Sequence, residues 1–366
     1  MMLKLIRTPQ KYVQGKDALN EFAKYARDYG NRFLFVSSKR GLNDCQEKIE
    51  KSFEGTDAFR KYEIFSGISS NGEIERMRKI VVDEKIDAVV GIGGGSAIDT
   101  AKATAFYENK PVLVVPTVVA TDAPCTGLSV IYNDDHTFDR YIFYPDNPNM
   151  VIVDTTIIAN APVRFLVAGM GDALGTYYEA RSCKKVDAPS LENGGISESA
   201  MALCKLCNEI LFEHGEIAKK SVENHLLNES VEKVIEAATY LSGVGADNGG
   251  LAAAHSIYNG FTEIEGVSAM HGEIVAFGTI VQLLMESAPK DELMKVMDFC
   301  YKVGLPITLN DMNIKAENIM VGCEKACVEG ETIHNVVGEI NPERLRDFVL
   351  TADVLGTRYY EEHKRF

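Results

Sequence analysis

Along the first 160 residues or so, short runs of β-branched and aliphatic residues alternate with longer stretches whose apolar positions recur every three or four residues. The runs at 33–37 (FLFVS), 61–66 (KYEIFS), 88–92 (AVVGI) and 112–116 (VLVVP) predict buried strands. Helical periods occupy 17–28, 42–53, 71–84 and 96–107. Continuous apolar strands separated by helices require crossover connections, so the expected sheet is mostly parallel and covered on both faces. Leu128–Tyr132 and Arg140–Tyr144, joined across Asn133, Asp134 and Asp135, predict a β-hairpin, and 149–154 a further strand. From Ala161 the helical period dominates, broken at Gly243–Gly250, Gly260, Gly266 and Pro306. The pattern therefore predicts an α/β domain over 1–160 and an all-helical domain over 161–366.

Composition narrows the partners. Of 366 residues, 46% are hydrophobic, enough for one large or two ordinary cores. With 53 acidic against 38 basic residues, the net charge is −15, and no dense Lys/Arg block offers phosphate backbones a footprint, which argues against nucleic acid. No apolar run approaches the roughly 18 residues of a membrane span, and the opening MMLKLIRTPQ has no signal-like core, so no membrane partner and a cytoplasmic location are expected. Cys204 and Cys207 form a C-x-x-C inside an amphipathic helical period, and Cys323 and Cys327 stand four apart in another. With no second pair at zinc-site spacing, all four are expected as buried free thiols.

The turn Gly91-Ile92-Gly93-Gly94-Gly95-Ser96 follows a strand and opens a helix, where bare backbone N–H groups and the helix dipole bind phosphate. It is not the G-x-G-x-x-G fingerprint, because position 96 is serine and the turn comes about 90 residues into the chain. Ser96 and Asp99 match an S-x-x-D capping box, an alternative that explains those two residues. It leaves the three successive glycines, each costly in conformational entropy, without a reason.

Of seven histidines, five (His136, His214, His225, His334 and His363) lie among polar residues. His255, in LAAAHSIYNGF, and His271, opening HGEIVAFG, flank one interhelical break. Helices running in opposite directions would bring both imidazoles to one end of the pair, within reach of one ion. Asp172, a carboxylate in the apolar AGMGDALGT, is the candidate third ligand, with a helix N-cap as its other reading.

These segments resemble the metal-dependent alcohol dehydrogenases often called iron-containing, and within them the glycerol dehydrogenases. The matching stretches are TPQKYVQGKDAL, GIGGGSAIDTAKA, PTVVATDAPCTGLSVIY, YPDNPNMVIVDT, APVRFLVAGMGDALGTYYEA, GLAAAHSIYNGFT and HGEIVAFGTIVQLL, in the family's order from residue 8 to about 284. The resemblance implies a dehydroquinate synthase-like fold, with an N-terminal dinucleotide-binding domain, a helical metal-binding domain and a metal in the cleft between them. By motif, Asp172, His255 and His271 would be the metal ligands and, with Asp122, would meet the substrate; Asp122 would orient the polyol. Gly94, Gly95 and Ser96 would lie on the pyrophosphate, and Thr117, Thr121, Thr126, Leu128 and Tyr132 along the nicotinamide half. Thr176 stands where the iron branch has a fourth, histidine ligand, so the resemblance is to the three-ligand branch that uses zinc, although Fe2+ suits the same donors. A homo-oligomer is implied too.

The expected reaction is hydride transfer from a small polyol, glycerol to dihydroxyacetone first of all, to NAD. Two departures bear on it. Ser96 replaces the usual lysine. The second strand ends Val36-Ser37-Ser38-Lys39-Arg40 where the family has an aspartate at position 38, so Ser38 would receive the ribose without repelling a 2′-phosphate, and NADP is not excluded. The alternatives are a dehydroquinate synthase-like lyase and a glycerol-phosphate dehydrogenase. Both need basic residues around a substrate phosphate, and none cluster near the ligand motifs.

Overall fold

The computed structural model describes residues 2–135 and 137–363, so His136 lies outside it. The α/β unit contains, in order, β1 (Tyr12–Gly15), α1 (Phe22–Ala26), β2 (Arg32–Ser37), α2 (Lys39–Ser52), β3 (Phe59–Ile64), α3 (Asn71–Asp83), β4 (Ala88–Gly93), α4 (Gly95–Tyr107), β5 (Val112–Pro116), β6 (Leu128–Tyr132), β7 (Phe138–Phe143), β8 (Met150–Asp154) and α5 (Thr155–Asn160). Six strands form one sheet in the order β1-β8-β5-β4-β2-β3, every pair parallel, and β6 and β7 make a separate antiparallel hairpin. The strand β1 is an addition to the expected set; its four residues YVQG are too short and too polar to signal a strand.

Alternation along β2 explains the two-faced burial. Phe33 and Phe35 join a core with Phe22, Ile49, Val90 and Ile92, while Leu34 and Val36 point the other way to Met77, Val81, Val89 and Ala101. Helix α4 lies close to the sheet because its facing side is alanine and the strand offers Gly91, where a Cβ would come within 2.8 Å of Ala101 Cβ. The strand order reverses direction between β2 and β4. In parallel sheets the crevice beyond the carboxyl ends at such a switch point is the ligand site.

The chain continues with α6 (Val163–Lys185), α7 (Glu198–Glu223), α8 (Glu229–Glu236), a π-helical turn (Ala237–Leu241), α9 (Ser242–Gly249), α10 (Ala253–Phe261), α11 (His271–Met285), α12 (Lys290–Val303), α13 (Ile319–Ala326) and α14 (Pro342–His363). The second unit is helical and is built on Leu166–Lys220 and the chain from Val244; Ser221–Gly243 belongs to the α/β unit. The expected interruption at Gly243–Gly250 is largely helix. Its glycines serve close packing: a Cβ at Gly245 would approach Thr176 Cγ2 to 2.7 Å, and one at Gly249 would approach Ala180 Cβ to 2.6 Å. Among the described residues no helix is long and apolar enough to cross a membrane. Cys204, Cys207 and Cys323 are buried free thiols, and Cys327 is a half-buried one.

Candidate active site

In the helical unit, the crossing of α6 and α11 is made of backbone. A Cβ at Gly171 would stand 2.3 Å from Gly272 O, and one at Gly272 would stand 1.9 Å from Ala168 O, so nothing larger than glycine permits the approach. The next residue on α6 is Asp172 and the residue before Gly272 is His271, which brings His271 Nε2 to 2.9 Å from Asp172 Oδ1 across 99 residues of sequence. His255, in the first turn of α10, puts its Nε2 3.4 Å from the same oxygen. All three ligand atoms lie within 4.8 Å of one another. Both imidazoles thus sit at the N-terminal ends of their helices, and the N-cap reading of Asp172 does not hold, because it lies well inside α6.

Asp172 is 1% exposed. Burial alone would raise its pKa, but the His271 and His255 imidazoles outweigh that and hold it below the usual carboxylate range. Burial likewise depresses the His255 imidazole, and Glu179 and Asp172 more than reverse it, leaving the ring well above its ordinary value. Liganding atoms at about 2.0–2.2 Å from a tetrahedral zinc stand about 3.4 Å apart; His255 Nε2 lies at that distance from Asp172 Oδ1, and His271 Nε2 lies somewhat nearer, at 2.9 Å. A carboxylate oxygen and two imidazole nitrogens also suit that ion chemically. The residues present fit a divalent metal.

In the α/β unit, the carboxyl ends of β2, β4 and β5 carry Ser38, Gly94 and Thr117, which line one cavity of about 460 Å3 together with Arg40, Lys48 and Asn160. Ser38 is the N-cap of α2, its Oγ accepting from Gly41 N at 3.0 Å. Ser37 is fully buried and its hydroxyl donates to Ser38 O, so of the two serines only Ser38 reaches the cavity.

The Ser96/Asp99 capping box is not formed. The N-cap of α4 is Gly94, with no side chain capping it. Asp99 is buried and its Oδ2 accepts instead from Val130 N at 3.2 Å. Gly93 has φ +143°, which requires glycine, whereas Gly94 has φ −90° and a Cβ there would meet nothing nearer than Val118 Cγ2 at 3.5 Å. Gly95 is equally open, with Thr121 Oγ1 at 3.8 Å. The protein itself has no steric need for glycine at 94 or 95.

The other sequence-predicted residues lie along the following loop and β6. Lys102 Nζ, buried in α4, donates to Ala123 O, to Thr126 O at 2.9 Å and to Leu128 O at 3.0 Å, which pins the backbone of the TDAP segment. Tyr132 ends β6, its N–H donating to Ser69 O at 2.9 Å. Asp122, half-buried, accepts from Ser242 Oγ at 3.1 Å. Ser242 follows the π-helical turn, and its neighbour Gly243 allows the approach, since a Cβ there would lie 2.9 Å from Asp122 O. Sequence reasoning missed Lys102, Ser242 and Glu179. A lysine within the small-residue helix AIDTAKATA, and a glutamate seven residues after Asp172 on one helical face, were the available signals.

Residues 9–155 match the profile of the iron-containing alcohol dehydrogenases. A glycerol dehydrogenase of Escherichia coli O6:H1 is 45% identical over 99% of this chain and 100% of its own length. The chain belongs to the iron-containing alcohol dehydrogenase family. This family is metal- and NAD-dependent, and its members are oxidoreductases. A crystal structure of glycerol dehydrogenase from Schizosaccharomyces pombe superposes with a TM-score of 0.94 at 34% identity, covering 99% of this chain and 93% of that one. A glycolaldehyde reductase of Halobacterium salinarum is 38% identical over 98% of this chain and 99% of its own length. The resemblance read from the motifs and the expected fold class are both borne out.

Proposed function

We propose that this family member oxidises glycerol to dihydroxyacetone with NAD, using one zinc ion held by Asp172, His255 and His271. The observation that carries the reading is the convergence of one buried carboxylate oxygen and two imidazole nitrogens from three helices, with ligand spacing suited to a single ion. When bound, the ion would lower the pKa of the polyol hydroxyls and favour loss of hydride to the nicotinamide. Gly94, Gly95 and Ser96 present the first-turn N–H groups of α4 to the pyrophosphate, and no side chain competes for the N-cap. Ser38 and Thr117 line the cavity at the strand ends beside it. Thr121, Thr126, Leu128 and Tyr132 follow on the loop and strand that would flank the nicotinamide. Asp122 orients the polyol by accepting a hydroxyl hydrogen bond, with Ser242 holding its carboxylate. The similarity to both a glycerol dehydrogenase and a glycolaldehyde reductase favours substrates with adjacent oxygens on a short carbon chain.

Turnover of NAD with glycerol, followed before and after chelation and on return of Zn2+, tests the function. Activity should vanish and recover. His271→Ala should lose most of its bound zinc, because two remaining donors do not retain a labile ion. A full equivalent of zinc in His271→Ala, by elemental analysis, would overturn the ligand assignment.

A further inference from the structure

Glu179 is fully buried on α6, two turns beyond Asp172 and so on the same helical face. A buried carboxylate is costly unless its acceptor sites are filled. Here they are filled by α10. Oε1 accepts from the backbone N–H groups of Ala252, at 2.8 Å, and His255, at 3.0 Å, both at the positive end of that helix. Oε2 lies 2.5 Å from His255 Nδ1.

With Oε1 accepting two backbone N–H groups, the Oε2 contact is read as Nδ1 donating to the carboxylate, which places a proton on Nδ1. In the neutral ring the lone pair then falls on Nε2, the nitrogen that faces Asp172 Oδ1. We infer that Glu179 is a positioning residue that fixes the tautomer of His255, making Nε2 a metal ligand. This rests on the metal site proposed above and adds to it the group that makes one of its ligands competent.

The same carboxylate also anchors the start of α10, so a purely structural role must be separated from a tautomer-setting one. Glu179→Gln does so by changing one oxygen to NH2. The amide oxygen can keep both backbone donors, which leaves the NH2 against Nδ1. The ring must then accept at Nδ1 and carry its proton on Nε2, where no lone pair remains for a metal. The opposite amide orientation would save that one contact at the expense of two backbone hydrogen bonds.

The expected result, measured by competition with a chromophoric chelator, is a roughly 10- to 100-fold weaker Zn2+ affinity for Glu179→Gln. The metal-free variant should melt within a few degrees of metal-free wild type, because the helix anchor is retained. Zinc binding as tight as in wild type would overturn the inference, as would a loss of affinity fully accounted for by a collapse of the metal-free protein. A second readout needs no variant. In the zinc-loaded wild type, 15N NMR of the His255 ring should show the proton on Nδ1, and a proton on Nε2 would overturn the idea directly. If Asp172→Asn and His271→Ala also kept a full equivalent of zinc, the metal site itself would fail. If those two lose the ion while Glu179→Gln does not, only the role of Glu179 fails.

Discussion

At the scale of single residues, Ser38 joins a structural role, as a helix cap, to the specificity role proposed for it. Its Oγ caps α2 by accepting from Gly41 N, and it lines the cavity proposed for the cofactor, with Arg40 two residues on. Aspartate caps a helix as well as serine does, so Ser38→Asp should preserve α2 while adding a charge that repels a 2′-phosphate and accepts from ribose hydroxyls. A charge-assisted hydrogen bond contributes about 1.5–3 kcal/mol, so the ratio of kcat/KM with NAD to that with NADP should rise roughly 10- to 150-fold. If wild type already rejects NADP several thousandfold and Ser38→Asp leaves the ratio alone, another position governs the choice. Ser37, its neighbour at the strand end, is turned into the core of the two-faced sheet and leaves Ser38 as the serine that lines the cavity.

Among the elements, α4 and the turn before it carry the clearest division between fold and function. Gly91 is needed for helix-to-sheet contact and Gly93 for its positive φ, but Gly94 has a conformation open to any residue and space for a methyl group. Gly94→Ala should therefore change stability by less than about 1 kcal/mol, since the lost chain entropy of glycine and the poorer N-cap roughly cancel. Cofactor affinity should nevertheless fall about tenfold or more, because the added methyl group would occupy the space of a phosphate against the backbone. Equilibrium unfolding and NAD titration measure the two effects. Unchanged affinity would remove the pyrophosphate from this turn. Strand-to-helix alternation made this element legible, but the role of Asp99 was not. In sequence it suits a capping box; in the fold Gly94 already occupies the N-cap position, and Asp99 faces Val130 of β6.

For the molecule as a whole, that same Asp99 ties stability to pH. Burial raises its pKa from 3.8 to about 6, against the opposing pull of Lys102 and the hydrogen bond from Val130. Between about pH 4 and pH 6 the folded chain holds a proton that the unfolded chain has released, so stability falls as pH rises through that window. Two pKa units correspond to about 3 kcal/mol. Asp99→Asn should lack this contribution, so its urea midpoint should gain on wild type between pH 4 and pH 7. Parallel pH profiles for the two proteins would show that Asp99 ionises freely in the native state.

By itself the sequence determined the parallel α/β sheet and the glycine turn at the end of β4, and it singled out Asp172, His255 and His271 as candidate ligands. Each is written in local terms: a period of apolar positions, a run of glycines, a carboxylate or imidazole among small apolar residues. Tertiary structure decided what those groups can do. The contact of Gly171 with Gly272 brings Asp172 to His271, and the 76-residue separation between Glu179 and His255 closes to a single hydrogen bond. Periodicity reports the face a residue presents, because backbone geometry repeats over a few residues. It carries no record of which distant backbone approaches closely enough to exclude a methyl group, or of which buried acceptor fixes the proton of a ring, because close packing between remote segments sets both.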